Sequence, residues 1–518
     1  MVRWLFLFSI FLFLNSSIAQ VSPPAFVQKV YDDLFNNLYA TKQIQKPKLR
    51  YFPEDKKKVV DYYSSSDGFD AEIQIGVEFI NVIRSFGADS SNALAYVLGH
   101  EMAHIFLEQT NIYRVGGYAD NQLTKKSNYL AKDTIYTAIL ESQADEQAIF
   151  YAHIGGYKVT HIAQEVLTRI YTHFKLNHRL RGYPPLEERL KIARHSVLKM
   201  NALLERFEIA NLSFVAGKYQ ISEKIYTSIL NEGFKSAEIY NNLGTSLLMQ
   251  VIESDSTFQK YIWPIFIDSR SKLTNHTQRS AFGIDVEDYL NRTINNFENA
   301  NRFKGYKYSQ LNLCIAHLIH QLNGSEDGVD HLESAQVALN KLKNFDVARY
   351  NTMNAIYLHF TGEIEQAKNE FIQNAEKDAI AKRNLDLLYF NISQIKGDQN
   401  PLSSIFGNTP NILEYFYSKK EYVTKDTTTK LLNSFTNTSL NRLYLDGDEL
   451  IRFVIKPLEK LYIAIYTDKY KELTENQLIS FADEIYYTNL YRYYTYNDWV
   501  VRYDVSGSKM VYLLTFNN

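Results

Sequence analysis

A single cysteine, Cys314, stands in the 518 residues, so no intramolecular disulfide can form. It shares a helical stripe with Leu311, Ile315 and Leu318, the setting of a buried and unreactive thiol. Charge of one sign is lacking too: a formal net charge of −2 offers no footprint for nucleic acid or an anionic membrane. Proline and alanine are scarce while Tyr, Asn, Lys and Ile abound, a coding bias rather than a functional sign. Hydrophobic residues at 45% and charged residues at 22% exclude a disordered or fibrous chain. After the first twenty residues no run is long and apolar enough to span a bilayer.

Those first residues read as a secretory signal. Arg3 gives the positive start, Trp4 to Leu14 the apolar stretch, and Ser17-Ile18-Ala19 the small residues that a signal peptidase reads. Residues 1–19 are expected to be removed after Ala19. No cysteine follows to carry a lipid. An exported eukaryotic chain of this size ordinarily contains disulfides, so the expected location is the bacterial periplasm or the outer-membrane periphery. Triplets of the Asn-x-Ser/Thr type begin at Asn275, Asn291 and Asn391, as chance provides in an Asn-rich chain.

The expected fold is multidomain and mainly α. Residues 20–200 read as a mixed α/β domain, with a helix over 27–38 and strands at 48–52 and 72–79. Asp89 and Ser90 are placed to cap a helix over 92–108, interrupted only by Gly99. A polar loop at 122–127 precedes a second helix over 129–153, which Gly155-Gly156 stops. Residues 201–400 read as helical repeats. Gly217-Lys218-Tyr219, Ser222, Tyr226 and Ile229, then Tyr240, Leu243 and Gly244, alternate large and small residues as a tetratricopeptide-like unit does. Ala355, Gly362, Ala367 and Phe371 repeat that spacing, and Ala335 and Leu339 suggest a weaker unit. Residues 401–518 read as a small α+β domain of unassigned role. Its strands fall at 443–445, 451–455 and 461–466, with a hairpin of 500–505 and 510–516 about Ser506-Gly507-Ser508. The cluster Tyr486, Tyr487, Tyr491, Tyr493, Tyr494 and Tyr496 reads as half-buried packing.

Chemistry concentrates in Gly99-His100-Glu101-Met102-Ala103-His104. Residues four apart on a helix share a face, so both imidazoles can bind one ion. Glu101 lies one residue round, in reach of a water on that ion. A catalytic zinc takes three protein ligands, and the third must come from another element. Glu141 is the candidate, with Asp145 one turn on. Glu108, Asp120, Asp133 and Glu146 are also available in the sequence.

Glu141-Ser-Gln-Ala-Asp145, then Ala148 and Gly156-Tyr157, resembles the ExxxD helix and "AGY" turn of the metallopeptidases that include the CAAX-prenyl endopeptidases and the HtpX heat-shock protease. Tyr183-Pro-Pro-Leu-Glu-Glu-Arg189-Leu190 is similar to their "HPPLEERI" segment. Helical repeats after such a domain resemble the soluble periplasmic members that act in outer-membrane protein quality control. The resemblance implies a zincin-like domain with one zinc per chain, held by His100, His104 and Glu141, and Glu101 as general base. It implies that Asp145 orients a ligand histidine and pairs with Arg189, which on its own reads as a surface charge beside Glu187 and Glu188. Tyr183 replaces the family histidine that binds the oxyanion, and a phenol can donate there too. The family's Asn-bearing substrate strand is not matched in 72–79.

The expected function is a zinc metalloendopeptidase acting on unfolded or misassembled envelope proteins. Its helical repeats are expected to recruit substrate or to join an envelope assembly complex. Substrate is expected to add as a strand at the sheet edge near Ile73–Ile75. The competing expectation is a repeat-based scaffold or chaperone-like adaptor with a latent peptidase domain.

Overall fold

The polypeptide alternates between segments that bury one helical stripe and segments that bury a strand face, and the helical kind dominates. A computed structural model describes residues 22–42, 45–54, 60–64, 71–107, 134–176, 185–215, 217–268, 285–303, 305–324 and 327–390, and seven strands within 438–517. The expected signal segment 1–19, the loop 122–127 and Tyr183 lie outside the described residues. The protein is mainly α, and it divides into two compact units, Met1–Met200 and Asn201–Asn518.

In the first unit, α1 (Ala25–Lys42) leads into β1 (Lys48–Phe52), β2 (Val60–Ser64) and β3 (Ala71–Gly76). Val27, Val30, Tyr31, Leu34 and Leu38 recur at helical spacing and form the buried stripe of α1. The three strands order as β1-β3-β2, with β1 parallel to β3 and β2 antiparallel to it. Ile73 and Ile75 on β3 are fully buried and pair on both sides, with Leu49 and Tyr62 against Ile73. This corrects the expected substrate edge: β3 is the central strand, and β2 stands at an edge of the sheet.

The expected strand 72–79 is also too long. It ends at Gly76, and α2 (Val77–Arg84) begins at once. Phe79, Ile80 and Ile83 lie three and four apart and bury together, so helical burial wins over extension of the strand. After a short turn of 3₁₀-helix at Gly87–Asp89 comes α3 (Ser90–Phe106), starting two residues earlier than expected. Neither Asp89 nor Ser90 caps it as expected. The Asp89 side chain makes no cap bond and instead accepts from Asn92 Nδ2 at 2.7 Å, and Ser90 is already helical.

Every residue of α3 from Ala93 to His104 is buried, so the helix is core on all sides. It packs against α1, against β2 and against α4 (Thr134–Ile154). Gly156, at φ 87°, ends α4 in the left-handed region, and Tyr157 N–H donates back to Ala152 O at 2.8 Å. Two further helices, α5 (Ala163–Phe174) and α6 (Leu186–Val215), complete the unit, and α6 runs across the division of the chain.

The second unit begins its helices with α7 (Tyr219–Asn231), α8 (Ala237–Ser254), α9 (Val286–Asn301) and α10 (Ser309–Asn323). It continues with α11 (His331–Leu342), α12 (Val347–Phe360), α13 (Ile364–Asn374) and α14 (Ala379–Tyr389). Each packs on its neighbour in sequence. Ser236, Asp285, Asp330, Asp346 and Asp378 cap five of these helices by accepting from backbone N–H groups of the first turn. A Cβ at Gly244 of α8 would lie 2.8 Å from the Phe297 ring of α9, so glycine permits that approach. Cys314 is fully buried, and burial pushes its thiol far above the usual range.

Three asparagines of the helices hold an extended stretch of the chain. Asn242, Asn312 and Asn384 each accept from one backbone N–H and donate to the carbonyl of the same residue, at Asp268, Phe266 and Ile262 respectively. That stretch carries Tyr261, Trp263, Ile265 and Ile267 into the core.

Toward the C-terminus, β4 (Thr438–Leu445), β5 (Asp448–Ile455), β6 (Glu459–Tyr466), β7 (Glu484–Tyr487), β8 (Tyr491–Tyr496), β9 (Trp499–Asp504) and β10 (Lys509–Asn517) form one antiparallel sheet, ordered β4-β5-β6-β10-β9-β8-β7. The hairpin strands pair with Lys509 opposite Tyr503. The tyrosine cluster falls on β7 and β8, with Tyr486 opposite Tyr493.

Candidate metal centre

His100 and His104 are one helical turn apart on α3, and their Nε2 atoms lie 3.0 Å from each other. Their rings stand at 90°, with centroids 4.6 Å apart. Both are buried, as is Glu101 between them. What faces them is decided by small residues. A Cβ on Gly99 would lie 3.2 Å from Ala148 Cα, so α3 and α4 approach as closely as backbones allow. Glu141 and Asp145, four apart on α4, are thereby brought opposite the histidines.

Glu141 Oε2 lies 3.3 Å from His100 Nε2, and Glu141 Oε1 lies 3.8 Å from His104 Nε2. Oε2 is buried and forms an ion pair with Arg189, whose Nη1 stands 3.0 Å away. A four-coordinate zinc with ligand bonds of about 2.0–2.2 Å separates its donor atoms by roughly 3.3 Å. The observed 3.0, 3.3 and 3.8 Å bracket that separation. Two imidazole nitrogens and one carboxylate fit zinc as three protein ligands, with a fourth coordination position left over.

Asp145 is the hub behind this set and has no exposure at all. Its Oδ1 accepts from His100 Nδ1 at 2.9 Å, Tyr96 OH at 2.9 Å and Arg189 Nη2 at 3.1 Å, while Oδ2 accepts from Arg189 Nη1 at 3.1 Å. A neutral imidazole that donates through Nδ1 presents a lone pair at Nε2, which is what a metal ligand must do. Burial alone would raise the Asp145 carboxyl, but the Arg189 guanidinium and the His100 bond hold it below the usual range. Glu141 likewise overcomes burial, chiefly through Arg189 and then His100, and is held down to about 2. Burial opposes charge on His100, yet its bonds to Asp145 and Glu141 push it up to about 10.

Charge accounting explains these shifts. Glu141 and Asp145, both held ionised, against Arg189 leave one negative charge in the buried site before Glu101 is counted, a balance that favours a bound cation. Without a metal, a proton on His100 stands in for part of that cation.

The structure thus gathers His100, Glu101, His104, Glu141, Asp145 and Arg189 in the first unit. Arg189 is 3% exposed, which corrects its reading as a surface charge and leaves the pairing with Asp145 that the resemblance implied. Of the other acids, Glu146 pairs with Lys199 at 2.6 Å, and Glu108, Asp120 and Asp133 lie outside the described residues. Sequence reasoning missed Tyr96, although it sits four residues before His100 and therefore on the same face. It missed as well a grouping of His320, Asp327 and His331 in the second unit, whose members come from separate elements. No family model matches the chain, and no curated protein matches it. The case for a metal centre rests on this geometry.

Proposed function

We propose that the protein is a zinc-dependent metalloendopeptidase whose first unit is a zincin-like domain of the family that includes the CAAX-prenyl endopeptidases. The observation that carries this is the buried convergence of His100 Nε2, His104 Nε2 and Glu141 Oε2 beside Glu101. His100, His104 and Glu141 would hold one zinc. When bound, zinc supplies a Lewis acid toward the scissile carbonyl and a water whose pKa falls to about 7.

The chain's own groups do the rest. Glu101, adjacent to the ligand His100 and not itself needed as a ligand, takes the proton of the attacking water on its carboxylate and passes it to the leaving amine nitrogen. Asp145 fixes the His100 tautomer through Nδ1, and Arg189 keeps Asp145 and Glu141 ionised. Tyr183 is assigned to donate its phenol to the oxyanion. Substrate is assigned to the edge strand β2, which packs on α3, rather than to β3.

Export to a bacterial envelope, tetratricopeptide-like character of the helices in 201–400 and recruitment of envelope proteins belong to the same reading. Casein digestion by the purified chain tests it. Cleavage that a chelator abolishes and zinc restores is the expected result. A zinc-loaded chain that leaves casein and unfolded envelope proteins intact would favour the scaffold reading instead.

A further inference from the structure

A second gathering of metal-ligand side chains lies in the second unit, at the ends of three helices. His317 and His320 sit near the C-terminal end of α10, Asp327 lies in the connection that follows, and His331 opens α11. The His320 and His331 rings stack, with centroids 3.8 Å apart and planes within 14°. His331 Nε2 is 3.1 Å from Asp327 Oδ2. His320 Nε2 is 4.0 Å from that same oxygen and 3.6 Å from Oε1 of Glu287, in the first turn of α9. One ligand atom from each of His320, Asp327 and His331 falls within 4.8 Å of the others.

His320 is not a satisfied core histidine. It is fully buried, and among the described residues neither of its ring nitrogens has a hydrogen-bond partner. Buried polar side chains are paired in the great majority, so this one asks for a ligand. His331, by contrast, is oriented from both ends, its Nδ1 lying 2.9 Å from Nδ1 of buried His317. A neutral imidazole has one donor and one acceptor. His331 Nε2 is at hydrogen-bond distance from both Asp327 oxygens, 3.2 Å from Oδ1 and 3.1 Å from Oδ2, so in one tautomer Nε2–H donates there. In the other, Nδ1–H donates to His317 and the Nε2 lone pair is free for an ion, the tautomer that a cation beside Asp327 selects. His317 then has the part of an orienting partner.

We propose that His320, Asp327 and His331, with Glu287 as a fourth ligand, form a second site for a divalent transition ion of the zinc class. Two imidazoles with carboxylates suit zinc, whereas calcium and magnesium take oxygen ligands and copper(I) favours sulfur. The separations exceed the roughly 3.3 Å of a closed four-coordinate site, so binding draws the carboxylates inward. Asp327, a quarter exposed, has room to rotate. The ion ties the end of α10 to the starts of α9 and α11, and the site does not depend on the one in the first unit.

The test uses the full chain, stripped with chelator and titrated with cobalt(II), whose visible absorption reports ligation. In a His100→Ala/His104→Ala variant, which lacks the first site's imidazoles, about one cobalt per chain is expected, and zinc should displace it. Adding His320→Gln and His331→Gln should abolish that binding. Asp327→Asn keeps an oxygen for the bond that Val329 N–H donates to Oδ1, so the turn survives, and it should weaken the ion at least tenfold. In the otherwise wild-type chain, Asp327→Asn should likewise remove one weakly held ion from the total, which decides the matter should the histidine variants not fold. No cobalt in the His100→Ala/His104→Ala variant, or binding that Asp327→Asn leaves unchanged, would overturn the proposal.

Discussion

Asp145 shows how much of the candidate centre depends on residues that touch no ion. It takes bonds from His100, Tyr96 and Arg189 at once, and removing it frees the His100 ring and leaves the buried Arg189 guanidinium to Glu141. Asp145→Ala is expected to weaken zinc by about 10–100-fold, the usual cost of an outer-shell partner. Competition against a chromophoric chelator measures it, and unchanged affinity would remove Asp145 from the centre. The proton on His100 gives a second residue-scale expectation. Its pKa stands raised to about 10 from 6.5, so the metal-free ring is charged through neutral pH and zinc must displace one proton. Glu141, held down to about 2, has none to lose there. Zinc affinity should therefore rise about tenfold per pH unit between roughly pH 7 and 9. Calorimetry in two buffers of different ionisation enthalpy should count one proton released, and a pH-independent affinity would contradict the assignment. The ligand spacing was legible because a helix turns i, i+4 in sequence into one face in space. Tyr96 shares that period and was overlooked, while the burial of Arg189 depends on which helices meet, which no local pattern states.

At the level of elements, the centre exists because α3 and α4 touch without side chains between them. Gly99→Leu would drive a branched side chain against Ala148 and part the helices, carrying Glu141 away from His100. The expected outcome is loss of zinc with a destabilisation of about 1–3 kcal/mol, against a smaller effect for Gly99→Ala. Zinc content and thermal unfolding check it, and a Gly99→Leu chain with wild-type zinc would mean that the contact does not position the ligands. Helix existence was readable from apolar spacing, as for α3 and the stop at Gly156. Boundaries were less so. The step from β3 into α2 occurs within one residue, and period two and period 3.6 both accommodate Ile73, Ile75 and Phe79 until the burial of Ile80 and Ile83 decides. β2 was missed, since Val60–Ser64 is only five residues long and does not alternate apolar with polar, and without it β3 looks like an edge.

Across the whole molecule, two units carry separable tasks in this account, chemistry in the first and binding in the second. The asparagine rungs of the second unit are already engaged by residues 262–268 of the chain itself, so recruitment has to use surface other than those rungs. A chain truncated after Val215, where α6 ends, should keep one zinc and cleave a short peptide about as well as the full protein. It should lose most of its activity on an assembled protein substrate, and equal loss on both would assign the second unit to bracing. The run of helices after residue 200 was legible, because apolar residues recur there at helical spacing. The asparagine rungs were not, since hydrogen bonds between Asn384 and Ile262 join positions too distant for any periodicity to show. The central claim is that a buried zinc and a separate base share the hydrolysis, and Glu101→Gln tests it most directly. Zinc content and casein cleavage are measured together, on the variant and the wild type. The account predicts an unchanged zinc content with cleavage abolished in the variant; loss of the first unit's zinc, or retention of full activity, would contradict it.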